Sequence, residues 1–349
     1  MIEKASQSRS PRLYSRKMEE LSRVTRGGVG AAVVGLGLAV LALAGGWVSG
    51  SAYDARQPAA EQASARCVDA CEASVLPSTA VPRGLSLRPI SSQQDSSDRE
   101  PSDLPFISAR YIAAIEGACG ALIYGRNEHD RFPPASLTKL MTAAVATDQA
   151  GVDTMIVANI DGDALNEETG STIMGLKPGM ELSLLDLLYG LMLPSGNDAA
   201  IAIAEGIAGS QDAFVQLMNE KVKSLALDDT HFTNAHGLYE DGLHSSAYDM
   251  AVLGRYVMQN PDLRRIVSTL SWQPAWDGPQ VWNGNKLLTD YEGADGIKIG
   301  FTEESEQTIV ASAVRGDRRI IASLMASKDR YEDATRLLDW AFEQPSTCP

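Results

Sequence analysis

Beyond residue 130, the chain carries residue types and spacings that suit nucleophilic catalysis. Ser136 and Lys139 stand three residues apart, in the order Ser-Leu-Thr-Lys. Because residues three apart share one face of a helix, the lysine amine can take the serine proton if burial lowers the lysine pKa. A serine in the first turn of a helix also lies near free N–H groups that favour a developing negative charge. On its own this spacing is common, and a solvated helix face is the alternative.

Two further motifs supply a relay and a binding edge. Ser-Gly-Asn at 195–197 places a hydroxyl and an amide on a predicted turn between two helices, where they can relay a proton and hold a substrate amide. Lys-Ile-Gly at 298–300 places a lysine on a predicted strand bounded by glycines, along which a substrate backbone can lie. In this order the motifs approach the SxxK, SDN and KTG set of penicillin-interacting serine enzymes.

The apolar pattern predicts the elements that position these motifs. Runs at 111–115 and 120–124 predict a hairpin, and Pro133-Pro134 marks the start of the helix that holds Ser136. Later elements are three helices between 182 and 225, strands at 296–301, 307–314 and 319–325 of which the last two form a hairpin, and an amphipathic helix at 331–342. Strands at both ends of a helical middle imply one sheet assembled from distant segments.

Longer stretches around the motifs resemble one known family. They are PPASLTKLMTA around Ser136, PSGNDAAIAIAEGIAG around Ser195, THFTNAHGL at 230–238, NGNKLL at 283–288 and DGIKIGFT at 295–302. In this order and spacing, residues 107–343 resemble the low-molecular-mass D-alanyl-D-alanine carboxypeptidases, the S11 peptidase family of penicillin-binding proteins. The resemblance implies an α/β protein of the α+β type with the serine β-lactamase and penicillin-binding-protein transpeptidase-like fold. In that fold helices flank an antiparallel sheet, and the active site lies in the cleft between the sheet and a helical subdomain.

The resemblance also implies a role for each catalytic residue. Ser136 would be the acylated nucleophile, Lys139 its base and Ser195 a proton relay. Asn197 would contact both the substrate and Lys139. The family resemblance implies no cofactor.

Substrate-binding residues are implied on the strand of the third motif. Lys298 would attract the substrate carboxylate, and the missing side chain of Gly300 would leave room for the substrate backbone. The backbone N–H groups of Ser136 and Phe301 would hold the oxyanion.

The third motif departs from the family pattern at Ile299. Members usually carry Thr or Ser there, and its hydroxyl helps to bind the terminal carboxylate of D-alanine. Thr302 is no automatic substitute, because residues three apart on a strand point to opposite faces. A lost hydrogen bond to a charged group costs about 1.5–3 kcal/mol, so we expect weaker activity or altered specificity. Gln307 also stands where the family has a Gly-Tyr or Gly-Cys segment.

Three functions remain open from the sequence. The first is a carboxypeptidase that acts on peptidoglycan stem peptides ending in D-Ala-D-Ala, or a relative that cleaves a cross-link, with β-lactams as covalent inhibitors. The second is a β-lactamase or another hydrolase, which needs a carboxylate base such as Glu167, Glu168 or Glu181. The third is a penicillin-binding or wall-sensing protein whose turnover is weak or lost because of Ile299.

The first hundred residues carry a membrane signal. Residues 27–50 contain no charged residue and are long enough to cross a bilayer core of about 30 Å as a helix. Basic residues precede them, so the positive-inside rule keeps residues 1–26 in the cytoplasm and places the catalytic domain outside it. We favour a retained cell-membrane anchor over a signal peptide cleaved near Gly50-Ser51-Ala52, which would give a secreted protein. A buried core helix is the less favoured alternative.

The remaining boundaries follow from composition. Residues 51–105 are rich in Ser, Pro, Ala and Gln without a sustained apolar period, which predicts a disordered tether. The peptidase domain is expected at 106–343 and a short tail at 344–349. On this expectation no residues remain for the C-terminal β domain that is typical of the family.

Composition and spacing also exclude other kinds of site. The net charge of the 349 residues is -15, which disfavours nucleic acid as a partner. The cysteines lack the paired C-x-x-C spacing of zinc sites, and outside the cytoplasm they permit three pairings or free thiols. The histidines form no HExxH motif, so we expect no metal. These residues are Cys67, Cys71, Cys119 and Cys348, and His231, His236 and His244.

Overall fold

The structure is a computed structural model, and it describes residues 101–275 and 278–349. The predicted cytoplasmic tail at 1–26, the apolar segment at 27–50 and nearly all of the tether at 51–105 lie outside the described residues. Within the described ranges, no helix is long and apolar enough to span a bilayer.

The described chain alternates between strands and helices as the apolar pattern predicts. In chain order the elements are β1 (Tyr111–Glu116), β2 (Leu122–Arg126), a 3₁₀ turn (Ala135–Thr138), α1 (Lys139–Gln149), β3 (Met155–Val157), α2 (Gly162–Thr169), β4 (Glu181–Ser183), α3 (Leu184–Met192), α4 (Asn197–Ala208), α5 (Gln211–Ser224), α6 (Ala247–Gln259), α7 (Pro261–Ser268), β5 (Ser271–Trp272), β6 (Val281–Trp282), α8 (Leu287–Asp290), β7 (Ala294–Thr302), β8 (Glu306–Arg315), β9 (Arg318–Ser327) and α9 (Arg330–Glu343).

A five-stranded antiparallel sheet joins the two ends of the domain. Its strand order is β2-β1-β9-β8-β7, so the first hairpin pairs with the last strand of the sheet. This arrangement confirms both predicted hairpins and the prediction of one sheet built from distant segments. Because β7 lies at an edge, its outer side is open to the neighbouring helical region.

The sheet separates two apolar cores. One face packs against α9 through side chains such as Leu337 and Leu338. The other face packs against α6 and α7, and its core continues into α1, α3, α4 and α5. The three helices predicted between 182 and 225 are confirmed as α3, α4 and α5. Serine caps begin two of them, since Ser183 accepts from Asp186 N and Ser210 accepts from Ala213 N.

A disulfide attaches the C-terminal tail to the turn between β1 and β2. Cys119 and Cys348 form this bond, one of the pairings that the sequence left open. The Thr347 N–H donates to the buried carboxylate of Glu116, which also pairs with Arg318. Cys67 and Cys71 lie outside the described residues.

Candidate active site

The proposed nucleophile lies in a tight turn rather than in an α-helix. Ala135, which begins the 3₁₀ turn, has a φ of 50°, and Ser136 is the second residue of that turn. The α-helix begins only at Lys139, which corrects the expectation that the serine occupies the first α-helical turn. A 3₁₀ helix has three residues per turn, so side chains at i and i+3 eclipse each other. This geometry brings Lys139 Nζ to 3.2 Å from Ser136 Oγ.

Lys139 is the centre of the buried hydrogen-bond network. Its side chain is 0% exposed, and Nζ lies close to three acceptors from three separate segments. These are Ser136 Oγ at 3.2 Å, Asn197 Oδ1 at 2.7 Å and the backbone carbonyl of His236 at 2.6 Å. The network holds the amine against the serine hydroxyl.

The electrostatic surroundings of Lys139 favour its neutral form. Burial and then the nearby positive charge of Lys298 lower the pKa of Lys139 well below its ordinary value, against a smaller opposing effect of Asp198. A neutral amine can accept a proton, whereas an ammonium group cannot. The site can therefore deprotonate Ser136.

The second motif occupies the predicted turn between α3 and α4. Ser195 has a φ of 68°, in the left-handed region that non-glycine residues rarely adopt. Its Oγ is buried and has no hydrogen-bond partner within the described part of the chain. Such a hydroxyl can bond to a substrate atom or relay a proton. Asn197 begins α4, where its side chain reaches Lys139.

The third motif lies on the edge strand β7. Lys298 is 1% exposed, its Nζ donates to the carbonyl of Ile299 at 3.0 Å, and it does not line the cleft. Burial and then Arg330 lower the pKa of Lys298 to about 7. Its charge therefore acts on the cleft from below the surface.

A glycine lets β7 approach the nucleophile closely. A Cβ at Gly300 would lie 2.9 Å from Ser136 N and 2.6 Å from Thr308 Oγ1, distances that real Cβ atoms do not tolerate. The next residue, Phe301, is 61% exposed and lines the cleft. The strand edge and the nucleophile turn thus form one continuous surface.

A cleft of about 700 Å³ opens over these residues. It brings together Ser136, Ser195, Asn197, Gly300 and Phe301, while Lys139 and Lys298 lie beneath its surface. The remaining lining residues are Thr169, Gly170, Ser171, Thr172, Pro194, His236, Gly237, Leu238, Gly284, Ile299, Thr302, Glu303 and Arg330.

Ile299 keeps its predicted place at the cleft. It is half-buried, it lines the cavity, and its partner across the sheet is Ile309 on β8. The hydroxyl of Thr302 is occupied within the turn after β7, since it donates to Ser305 Oγ and accepts from Ser305 N. Thr302 therefore does not supply the hydroxyl that the family usually has at position 299.

Arg330 is a cleft residue that the sequence did not single out. It begins α9, and its guanidinium donates to Gln307 Oε1 and to the carbonyl of Gly300. None of the ion pairs found within residues 101–275 and 278–349 involves Arg330. No spacing signal identified it, because its place depends on how α9 returns to the sheet.

His236 lies beside Lys139 and contributes to the buried hydrogen-bond network. Its carbonyl accepts from Lys139, and its ring Nδ1 accepts from the Leu238 N–H. Burial and then Lys139 lower the pKa of His236 to about 4, so the ring is neutral at pH 7. The sequence signal for His236 was its place within the family-like stretch THFTNAHGL. Among the described residues, no group of three His, Cys, Asp or Glu side chains is arranged to hold a metal ion.

The glutamates considered for a β-lactamase base lie elsewhere. Glu167 and Glu168 are exposed on α2, and Glu181 is exposed on β4. None of the three lines the cleft. The carboxylate among the lining residues is Glu303, which is exposed on the turn after β7.

Comparisons with known proteins point to one family. The family model of peptidase S11, D-alanyl-D-alanine carboxypeptidase, matches residues 97–329. The D-alanyl-D-alanine carboxypeptidase DacD of Salmonella typhimurium is 40% identical over 255 residues, which cover 70% of this chain and 65% of the relative. The chain thus spans less than two thirds of that relative's length.

Solved structures show the same fold. Penicillin binding protein 6B from Escherichia coli superposes with a TM-score of 0.65 at 38% identity, covering 71% of this chain and 80% of that one. The D-alanyl-D-alanine carboxypeptidase from Mycobacterium tuberculosis superposes with a TM-score of 0.66 at 31% identity, covering 72% and 98%. From the matched motifs, the cleft and these comparisons, the chain belongs to the peptidase S11 family.

Proposed function

We propose that this protein is a serine-type D-alanyl-D-alanine carboxypeptidase that removes the terminal D-alanine from peptidoglycan stem peptides. The observation that carries the proposal is the buried amine of Lys139, 3.2 Å from Ser136 Oγ at the floor of an open cleft. The family match and the activities named for its relatives support the substrate class.

The first half of the reaction forms an acyl-enzyme. Ser136 Oγ attacks the carbonyl carbon of the D-Ala-D-Ala peptide bond as its proton passes to the neutral amine of Lys139. The N–H groups of Ser136 and Phe301 stabilise the oxyanion. The C–N bond then breaks, the proton reaches the leaving amine through Ser195, and D-alanine departs.

The second half hydrolyses the ester. Water attacks the acyl carbon while Lys139 accepts one of its protons, and the bond to Ser136 Oγ breaks. The shortened peptide leaves, and the serine hydroxyl regains its proton from the lysine. Because Glu167, Glu168 and Glu181 lie outside the cleft, a β-lactamase that relies on one of them is disfavoured.

Positive charge at one side of the cleft recognises the terminal carboxylate of the substrate. Arg330 lines the cavity, and Lys298 lies beneath it with its pKa at about 7. A carboxylate that enters here meets the guanidinium of Arg330, whose planar donor set suits a carboxylate, and, below pH 7, the ammonium group of Lys298. Ile299 lies on the same stretch of the cleft and adds an apolar surface.

The test combines a fluorescent penicillin with a peptide that ends in D-Ala-D-Ala. The wild-type protein should retain the label and release D-alanine, and Ser136→Ala should do neither while it keeps its fold. Ser224→Ala, which changes an exposed serine at the end of α5, should behave as the wild type. Rapid loss of the label would instead indicate a β-lactamase, and a folded wild type that neither labels nor releases D-alanine would indicate a wall-sensing protein.

We also propose that residues 27–50 anchor the protein in the cell membrane, with the catalytic domain outside the cytoplasm. The uncharged segment and its basic flank support this topology. The Cys119–Cys348 disulfide agrees with an oxidising compartment.

Fractionation and proteolysis test the topology. The full chain should sediment with membranes, and a chain that begins at Leu104 should be recovered without detergent. Protease added from outside to cells whose cytoplasmic membrane is intact should digest the domain, once any outer barrier has been opened. Protection of the domain under these conditions would contradict the topology and the wall substrate.

A further inference from the structure

A fully buried carboxylate lies beside the cleft without a catalytic role in the reaction described above. Asp198 is the second residue of α4 and is 0% exposed. Its two oxygens accept four backbone N–H groups, all at 2.9 Å. The donors are Met174 and Ala199 on Oδ1, and Gly175 and Leu176 on Oδ2.

Three of these donors belong to the segment that forms one wall of the cleft. Residues 171–176 have no helix or strand conformation, and Ser171 and Thr172 line the cavity. Two further hydrogen bonds connect this wall to the second motif. The Thr172 hydroxyl donates to the Ser195 carbonyl at 2.8 Å, and the Asn197 N–H donates to the Thr172 carbonyl at 2.8 Å.

The chemistry of a carboxylate matches this set of donors. A carboxylate is acceptor-only and offers about four lone-pair sites, whereas an asparagine amide offers one accepting oxygen and two N–H groups. The first turn of α4 adds N–H groups that favour a negative charge. Within the described ranges, no lysine or arginine forms an ion pair with Asp198, so the backbone donors hold the charge.

We propose that Asp198 is a positioning residue that fixes the 171–176 wall against the start of α4, and so fixes Ser195 and Asn197 relative to Ser136. This inference rests on the proposed function, because it concerns the geometry of that reaction. Without the carboxylate, three wall amides lose their acceptor, and the wall can move away from α4.

The charge of Asp198 gives the position a second, measurable effect. The charged or titratable groups around Lys139 are Lys298 from β7, His236 from the loop before α6, and Asp198 from α4. Asp198 raises the pKa of Lys139, whereas Lys298 lowers it. Removal of the negative charge therefore lowers the pKa of Lys139, and the amine becomes a competent base at lower pH.

The test is the acylation rate of Asp198→Asn with a fluorescent penicillin, measured against pH. We expect acylation to slow by roughly ten- to hundredfold, as for a displaced catalytic geometry, and its midpoint to shift to lower pH. The matched control is Asp212→Asn, which removes an exposed acidic residue from the same position of α5 and should change neither value. A folded Asp198→Asn protein with an unchanged rate and midpoint would overturn the proposal.

Hydrogen exchange tests the same inference without a measurement of activity. In the wild type, the amides of residues 174–176 should exchange as slowly as helix amides, and in Asp198→Asn they should exchange faster while β8 and β9 stay unchanged. If these wild-type amides exchange as fast as exposed loop amides, the proposal is overturned, even where Asp198→Asn does not fold. A wild type that resists penicillin would refute the proposed function, and the exchange data would still decide the role of Asp198.

Discussion

At the scale of single residues, two buried lysines have different roles: Lys139 accepts a proton and Lys298 attracts a carboxylate. Lys139 has to be neutral to accept the serine proton, and burial lowers its pKa well below its ordinary value, in the direction of that form. Lys298 has to be charged to attract a carboxylate, and its pKa of about 7 leaves it only partly charged at neutral pH. Lys298 also helps to keep Lys139 neutral, since the positive charge of Lys298 lowers the pKa of Lys139.

The Lys298 pKa predicts how substrate binding depends on pH. The group is protonated below its folded pKa of about 7 and loses its charge as the pH rises through that value. We expect the KM for D-Ala-D-Ala peptides to rise several-fold across pH 7, and the KM for a neutral ester to stay nearly constant. Lys298→Ala should raise the peptide KM at low pH and remove its pH dependence. The same pH dependence in wild type and variant would exclude Lys298 as its source.

Ile299, in the third motif, occupies a position where the family usually has a hydroxyl group. Ile299→Thr places a hydroxyl donor at the cleft, so turnover of D-Ala-D-Ala peptides should rise by roughly ten- to hundredfold. Its free energy of unfolding should change little, because Ile299 is only half-buried. The control is Ile309→Thr, the fully buried cross-strand partner, which should lose about 2–4 kcal/mol of stability without a gain in turnover. An unchanged rate with a clear stability loss in Ile299→Thr would show that Ile299 is a core residue.

At the scale of elements, the site depends on how closely the edge strand β7 approaches the nucleophile turn. That distance is short because Gly300 has no side chain. We expect Gly300→Ala to push β7 away from Ser136 and to slow penicillin acylation by roughly a hundredfold, measured by label incorporation. Gly316→Ala is the control, since Gly316 has a φ of 59° in the β8–β9 turn and open space around it. It should cost about 1 kcal/mol of stability and leave acylation unchanged; equal acylation by both variants would exclude the close approach as a requirement.

At the scale of the whole molecule, the disulfide joins segments 229 residues apart. A cross-link over such a distance restricts the unfolded chain, for which about 2–4 kcal/mol of stabilisation is typical. The double variant Cys119→Ser/Cys348→Ser should therefore melt at a lower temperature and retain acylation at room temperature. The matched pair Cys67→Ser/Cys71→Ser, in the predicted tether, should melt as the wild type does. A melting temperature unaffected by the first pair would mean that the tail does not contribute to stability.

The sequence by itself determined the features that depend on neighbouring residues. The hairpins, the three central helices and the closing helix follow from apolar periodicity and turn residues within short windows. The Ser136–Lys139 pair follows from a spacing of three, although the turn is 3₁₀ and not α-helical. The motif order indicated the family, because each motif carries its own local context. The anchor at 27–50 and the domain boundaries remain predictions.

The tertiary structure alone decided the features that join distant segments. Lys139 finds acceptors on α4 and on the loop before α6, Arg330 reaches the cleft from α9, and Cys119 meets Cys348 rather than another cysteine. Lys298 lies beneath the cleft instead of lining it, which the strand pattern did not indicate. The physical reason is that burial and pKa depend on all groups packed around a side chain, and those groups come together only when the sheet and helices close on each other.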